Sequence, residues 1–351
     1  MNLVFVYNLC LVGGIFLVLF CDHWLLVWLL MEFITLSLVV LLSRPFTSRS
    51  IEASSKYFVI QAVASLLVLG GVIFRFFFLG EVGVFSFYNE FSYYLIVVGL
   101  LVKLAVLPNP FWFVDVVSGL SLFRAVYVVV VSKLIPVYLL CFLINPFYGW
   151  VFVLVGVGSI FFGSVLGLNQ TSMRKILAYS SISQLGWMLV GFPFLSWGAC
   201  LFVFFSYVFM LMPLFWVGGV SSLNYLVKSK NIYFNPFGVF CLMLVFLSLG
   251  GLPPLLGFFY KWVIFYGLVL AGNYFVSGSL VLFSLVSLFF YLRVCYSLYS
   301  IYWPEMKICL VGSVSRGVFL PWEGTYLGSF CGLVITMGWL ILGPLSMSWF
   351  F

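Results

Sequence analysis

Four ionisable side chains stand inside apolar runs, where their types and spacing suit proton transfer. Glu32 lies within Leu29-Leu30-Met31-Glu32-Phe33-Ile34, and Lys103 one turn ahead of Leu107-Pro108-Asn109-Pro110. Lys133 is followed by Pro136, and Lys261 follows Gly250-Gly251-Leu252-Pro253-Pro254-Leu255-Leu256-Gly257. Each charge at the centre of a bilayer costs about 2.5–3.5 kcal/mol, so four unpaired, lipid-facing charges would oppose folding by roughly 10–14 kcal/mol. They must turn inward, find partners or sit in water. Glu32 is the only mid-span carboxylate, and Lys103 is its first-choice partner. Three lysines and one carboxylate cannot all stay ionised cheaply, because desolvation and mutual repulsion both oppose the charge. A lysine close to that balance takes up and releases protons, and moving Glu32 toward or away from Lys103 switches it. Proline and glycine beside Lys103 and Lys261 free backbone carbonyls to hold water, so protons can hop between lysines. Glu32, Lys103, Lys133 and Lys261 are therefore the candidate catalytic residues, all for proton transfer.

Composition removes most other chemistry. The chain has 351 residues, 65% hydrophobic and only 7% charged, against about 25% charged in soluble domains. With a mean hydropathy of +1.28, its main solvent is lipid. A soluble enzyme, a nucleic-acid binder, a disordered tail and a disulfide-stapled secreted domain are excluded. The net charge of +7 comes from scattered basic residues with no run of five, which suits membrane topology better than a polyanionic partner. His23 is the single histidine, too few for bis-imidazole haem or for most copper and di-iron sites. The eight cysteines show no CxxC spacing and read as small buried hydrophobes. No metal or redox cofactor is expected in this chain. His23, beside Asp22, reads as a solvated loop residue. Asp115, Arg124 and Arg293 lie near span ends, Lys56 and Lys175 snorkel, and the many Phe face lipid or pack. Met1-Asn2-Leu3-Val4-Phe5 lacks the basic start of a secretory signal and the Arg/Ser pattern of a transit peptide, so the first apolar run reads as a mature helix.

The elements that must hold these groups are membrane helices, each needing about 20 apolar residues. Spans are predicted near 2–20, 24–43, 56–79, 91–118, 121–144, 148–168, 175–194, 198–222, 237–271, 275–299 and 326–346, eleven in all. The fourth and ninth are overlong and interrupted by Pro and Gly, so neither continues as one straight helix. Loops after spans two, six and eight carry Arg44, Arg49 and Lys56, then Arg174 and Lys175, then Lys228 and Lys230, with Glu52 the only acid among them. The alternate loops carry little but Asp22, Arg75, Glu81 and Glu90. The positive-inside rule then puts the N-terminus on the matrix or cytoplasmic side and the C-terminus opposite. Spans one to five and six to ten form two groups whose fourth member is the broken one. Matching interruptions point to an internal repeat with the transport site near the breaks, and five spans per unit would make the copies inverted. The expected fold is all-α integral membrane. Residues 1–145 form a first five-helix repeat (broken helix 91–118) and 146–300 a second (broken helix 237–271). Residues 301–351 supply a loop and a C-terminal transmembrane helix.

Three segments carry a family resemblance. They are Gly167-Leu168-Asn169-Gln170-Thr171-Ser172-Met173-Arg174-Lys175-Ile176-Leu177-Ala178-Tyr179-Ser180-Ser181-Ile182-Ser183-Gln184-Leu185-Gly186-Trp187-Met188, Glu52-Ala53-Ser54-Ser55-Lys56-Tyr57-Phe58 and Ser248 through Phe258. Together they resemble the subunit 2 family of the NADH dehydrogenase of respiratory complex I, in order along nearly the whole chain and weakest over the last fifty residues. The resemblance implies an antiporter-like membrane subunit of two inverted five-helix repeats with broken helices. Eleven spans match the animal form, which lacks the first three of fourteen. It implies that Glu32 and Lys103 form the family's glutamate–lysine pair, that Lys133 is the central lysine, and that Lys261 belongs to the second broken helix. It implies a proton-translocating subunit of NADH:ubiquinone reductase in the mitochondrial inner membrane, with the N-terminus on the matrix side. FMN, iron–sulfur clusters and ubiquinone would sit in partner subunits. The partners would be other membrane-arm subunits, neighbouring antiporter-like subunits included, together with lipids and no nucleic acid. A cation/proton antiporter of the related family is the alternative. Two departures stand out: many relatives have histidine where Gln184 stands, and Val114-Asp115 replaces a usual Pro-Glu.

Overall fold

The computed structural model describes residues 3–80, 83–84, 89–144, 149–220, 236–253 and 255–302. The expected span 326–346, the C-terminal segment 301–351 beyond Tyr302, and Glu81, Lys228, Lys230, Pro254, Cys309 and Cys331 lie outside the described residues. Apart from one isolated bridge between His23 and Gly83, the described chain is helical. Its helices are α1 (Leu3–Val18), α2 (Trp24–Ser43), α3 (Ser48–Leu79), α4 (Glu90–Leu104), α5 (Phe111–Gly119), α6 (Leu122–Val126), α7 (Ser132–Leu143), α8 (Gly149–Leu168), α9 (Met173–Gly191), α10 (Trp197–Val220), α11 (Pro236–Gly250), α12 (Leu256–Leu270) and α13 (Tyr274–Tyr302). A π turn, Tyr127–Val131, joins α6 to α7. Among the described residues, six helices are long and apolar enough to cross a membrane. Large apolar side chains such as Phe20, Phe77, Phe78, Leu270 and Phe275 point outward, as lipid-facing groups do.

The chain divides into two compact units, residues 1–159 and 160 onward, with the boundary inside α8. In the first, α3 packs along α2, α4 and α5, and α7 packs on α4. The second is built from α11 on α13, with α12 against α9, α10 and α11. Each unit holds one pair of short helices separated by Pro or Gly: α4 and α5, then α11 and α12.

One helix start and one residue's placement differ from the sequence reading. The third helix starts at Ser48 rather than near 56. Thr47 accepts a cap hydrogen bond from Ser50 N at 3.3 Å, and Glu52 pairs with Lys56 one turn on at 2.7 Å, so the polar lead-in is helical in its own right. Arg75, read as a loop charge, is fully buried within α3; it has contacts there and contributes nothing to the loop tally.

Small residues set the distance between α3 and α4. A Cβ added at Gly99 would lie 2.8 Å from the Ala64 carbonyl oxygen, and one at Gly71 would lie 3.0 Å from that of Ser92. Close approach through small residues is how helices gain contact where lipid offers no hydrophobic drive. Gly99→Val should therefore destabilise the first unit by about 1–3 kcal/mol, visible as a lower melting temperature of the purified assembly. An unchanged melting temperature would show that the two helices have room to part.

Candidate functional site

The first unit collects Glu32, Lys103 and Lys133; Lys261 is in the second. Lys103 lies in the last turn of α4. That helix stops because Ala105 turns left-handed (φ 62°) ahead of Pro108 and Pro110. The turn leaves the Lys103 carbonyl without a helical donor, and the Gln61 amide reaches it from α3 at 3.4 Å. Lys103 is 3% exposed, and its Nζ lies 3.9 Å from Met31 Sδ. Glu32, the next residue along α2, is half-buried. Its Oε2 accepts from the Thr35 hydroxyl at 3.3 Å. No ion pair joins Glu32 to Lys103 among the described residues.

Lys133 opens α7 and is 1% exposed. The preceding π turn and the following Pro136, which has no N–H to give the Ser132 carbonyl, bracket it with irregular helix. Its Nζ sits 4.1 Å from the centre of the Phe113 ring on α5, a contact that favours the cationic form. The Ser132 hydroxyl donates to Val128 O at 2.6 Å. Tyr57, from α3, is buried. Its ring is 6.1 Å from that of Trp112. The buried Trp112 Nε1 has no hydrogen-bond partner among the described residues; such a group costs about 1–3 kcal/mol unless water supplies one.

In the second unit, Lys261 is 6% exposed and donates to Gly250 O at 2.9 Å, satisfying a carbonyl freed where α11 ends. Its Nζ is 5.4 Å from the Trp187 ring centre. Gln184 binds the same break. Its amide nitrogen donates to Leu249 O at 3.1 Å and reaches the Tyr291 hydroxyl at 3.4 Å. The Tyr260 hydroxyl donates to Gln184 Oε1. One carboxamide thus ties α9 to α11, α12 and α13.

The residues set aside as peripheral fall near the surface. His23, Lys175 and Arg293 are exposed, and Arg124 is half-buried. Arg293 donates to Leu168 O. Among the described residues, cysteines 10, 21, 141, 200, 241 and 295 carry no disulfide bridge. Asp115 is solvated, 3.9 Å from Lys56 Nζ. Sequence reasoning missed Tyr57, Gln61, Trp112, Tyr260 and Tyr291. A signal was present in α3: Ser50, Ser54, Tyr57, Gln61 and Ser65 recur every three or four residues, and all five are buried. That polar stripe belongs on a protein-facing side.

The profile of the NADH:quinone oxidoreductase/Mrp antiporter transmembrane family matches residues 21–289. NADH-ubiquinone oxidoreductase chain 2 of Paracentrotus lividus is 34% identical over 303 residues, which is 86% of this chain and 86% of that protein. The fold is shared with a chain of respiratory complex I from Thermus thermophilus at a TM-score of 0.81, with 23% identity, over 97% of this chain and 78% of the other. A chain of the Mrp complex from Dietzia sp. follows at 0.75, with 20% identity, over 82% and 59%. With a family model spanning residues 21–289 and a relative 34% identical over 86% of both chains, the chain belongs to the NADH-ubiquinone oxidoreductase chain 2 family of membrane proteins.

Proposed function

We propose that this chain is a proton-translocating core subunit of the membrane arm of respiratory complex I, working in the mitochondrial inner membrane. NADH oxidation and ubiquinone reduction, with their FMN and iron–sulfur clusters, take place in partner subunits, and this chain couples their free energy to proton movement. One observation carries the reading. Three lysines are withdrawn from solvent inside apolar helices, each beside an interruption: Lys103 at the end of α4, Lys133 between the π turn and Pro136, and Lys261 against the end of α11. Ammonium groups are not stranded there for stability, since an apolar side chain would cost far less. Glu32 modulates Lys103 through space. Residues 1–145 and 146–300 form inverted five-helix repeats, with the basic loops and N-terminus on the matrix side. Neighbouring antiporter-like subunits and lipids complete the surroundings.

Lys133→Met should lower the protons pumped per NADH while NADH oxidation and assembly persist, measured on the enzyme reconstituted in sealed vesicles. Full stoichiometry in that variant would leave the chain as a passive segment of the arm. A cation/proton antiporter is the second reading, favoured by the shared fold with the Mrp complex chain. Co-purification with flavin and iron–sulfur subunits separates the two.

A further inference from the structure

The geometry points to a binding site for a phospholipid with a zwitterionic, primary-ammonium headgroup, formed by the cavity between α3 and α5 together with the exposed face of α3 that continues from it. The cavity encloses about 260 Å³, and two cations, Arg49 and Lys56, and two carboxylates, Glu52 and Asp115, line it. Lys56 Nζ lies 2.7 Å from Glu52 and 3.9 Å from Asp115. All four residues are exposed, so a ligand can reach them from outside. An anionic headgroup would meet two carboxylates here, and a simple cation would meet two basic groups. A ligand that carries a phosphate and an ammonium satisfies both sets. The Arg49 guanidinium suits the phosphate oxygens. The Asp115 carboxylate, its side chain 62% exposed, has oxygens free to accept from the ammonium. A primary ammonium donates hydrogen bonds to it, and a trimethylammonium has none to donate.

The helix faces next to the cavity favour a whole lipid over a free headgroup. Glu52, Lys56, Val59, Val63 and Leu66 recur at the three- and four-residue spacing of one helix face, and all five are exposed. The face begins charged and continues apolar, with Val59, Val63 and Leu66 each more than half exposed. The opposite stripe of α3, with Tyr57, Gln61 and Ser65, is buried against protein. On α5 the same order appears: Asp115 lines the cavity, and Phe111, one turn closer to the break, is exposed. Gly119 abuts Ala53 and Trp112 neighbours Tyr57, so the two helices run antiparallel. Both therefore pass from charge to hydrocarbon in the same direction. From Lys56 to Leu66 a helix rises about 15 Å, half of a hydrocarbon core of about 30 Å. Charges at one end and a single leaflet's depth of apolar surface below them match an amphiphile.

The test uses the purified assembly in detergent, incubated with phosphatidylethanolamine that bears a photoreactive group on its acyl chain, with labelled residues mapped by peptide mass spectrometry. Label is expected between Val59 and Leu66. It should fall about tenfold when phosphatidylcholine or phosphatidylglycerol carries the same group, and by a similar factor in Asp115→Asn, the worth of a hydrogen bond to a charged partner. Glu90→Gln removes an exposed carboxylate at the far end of α3, where Phe74 meets Phe91, and should leave the label unchanged. Free phosphoethanolamine at the same concentration should not compete, because it lacks the chain. Equal labelling by the three lipids, full labelling in Asp115→Asn or an equal loss in Glu90→Gln reduces the face to ordinary boundary lipid and overturns the site. A preference for phosphatidylglycerol, or full displacement by free phosphoethanolamine, overturns the assigned ligand. No label on α3 from any lipid means that a partner subunit covers the face, which overturns the site as well. None of these readings depends on proton stoichiometry, so they leave the proposed function to its own test.

Discussion

Gly257→Ala should abolish accumulation of the assembled enzyme, because a Cβ at that position would run into the carbonyl oxygen of Ser248. No rotamer change relieves a clash with backbone. Either α12 moves off α11 or the first turn of α12 unwinds. Ordinary overpacking costs about 1–3 kcal/mol and yields by shifting side chains. Here the obstacle is main chain, so the expected cost is upward of about 3 kcal/mol, in the range where marginally stable proteins fail. The damage is specific as well as large. Leu249 O and Gly250 O, held by Gln184 at 3.1 Å and Lys261 at 2.9 Å, follow directly after Ser248. Parting α11 from α12 breaks the Lys261 contact and pulls on the Gln184 carboxamide, which binds both helices. The amount of intact complex on a native gel reads the effect, with Gly278→Ala as the control, since a Cβ there meets nothing within 4 Å. Equal amounts for both variants would mean that the two short helices are not pressed together at Gly257.

Why some of this was legible in the residues and some was not has a physical explanation. The interruptions could be located because Leu107-Pro108-Asn109-Pro110 and Gly250 through Gly257 concentrate the residue types that cannot continue a helix. The structure duly ends α4 at Leu104 and α11 at Gly250. The charged candidates stood out because any ionisable group in an apolar run is costly whatever its neighbours. Hydroxyl and amide partners do not announce themselves this way. Tyr57, Tyr260 and Tyr291 share the composition of a chain that is 21% aromatic, and only tertiary packing shows which rings meet polar groups. Glu32 and Lys103 make the same point in reverse. Chemistry pairs them, yet the approach of α2 to α4 puts Met31 rather than Glu32 against the ammonium. The early start of α3 was hidden by reading helix from hydropathy, whereas a threonine cap and one ion pair sustain two further polar turns.

Lys261→Met and Lys261→Arg should part the two tasks that this side chain performs. The ammonium donates to Gly250 O and thereby closes the end of α11; it is also the second unit's proton carrier in the proposed mechanism. Methionine keeps the apolar stem and removes the donor. It should leave the Gly250 carbonyl unpaired at a cost of about 1–3 kcal/mol, and it should lower the protons pumped per NADH. Arginine supplies donors and a permanent charge but does not release its proton. The Trp187 ring centre is 5.4 Å from Nζ, and guanidinium groups stack readily on indole. Gly251 lies close on the ammonium: a Cβ built there would come within 2.9 Å of Nζ. The arginine variant should therefore melt near the parent temperature and still pump as poorly as the methionine variant. If arginine restored full pumping, Lys261 would be a helix-end clasp and nothing more, and proton transfer in the second unit would need another carrier. If arginine melted as low as methionine, the contact with Gly250 would require the slender lysine tip, and the pumping loss could no longer be credited to proton chemistry alone. Only the combination of retained stability and lost stoichiometry assigns the proton to this nitrogen.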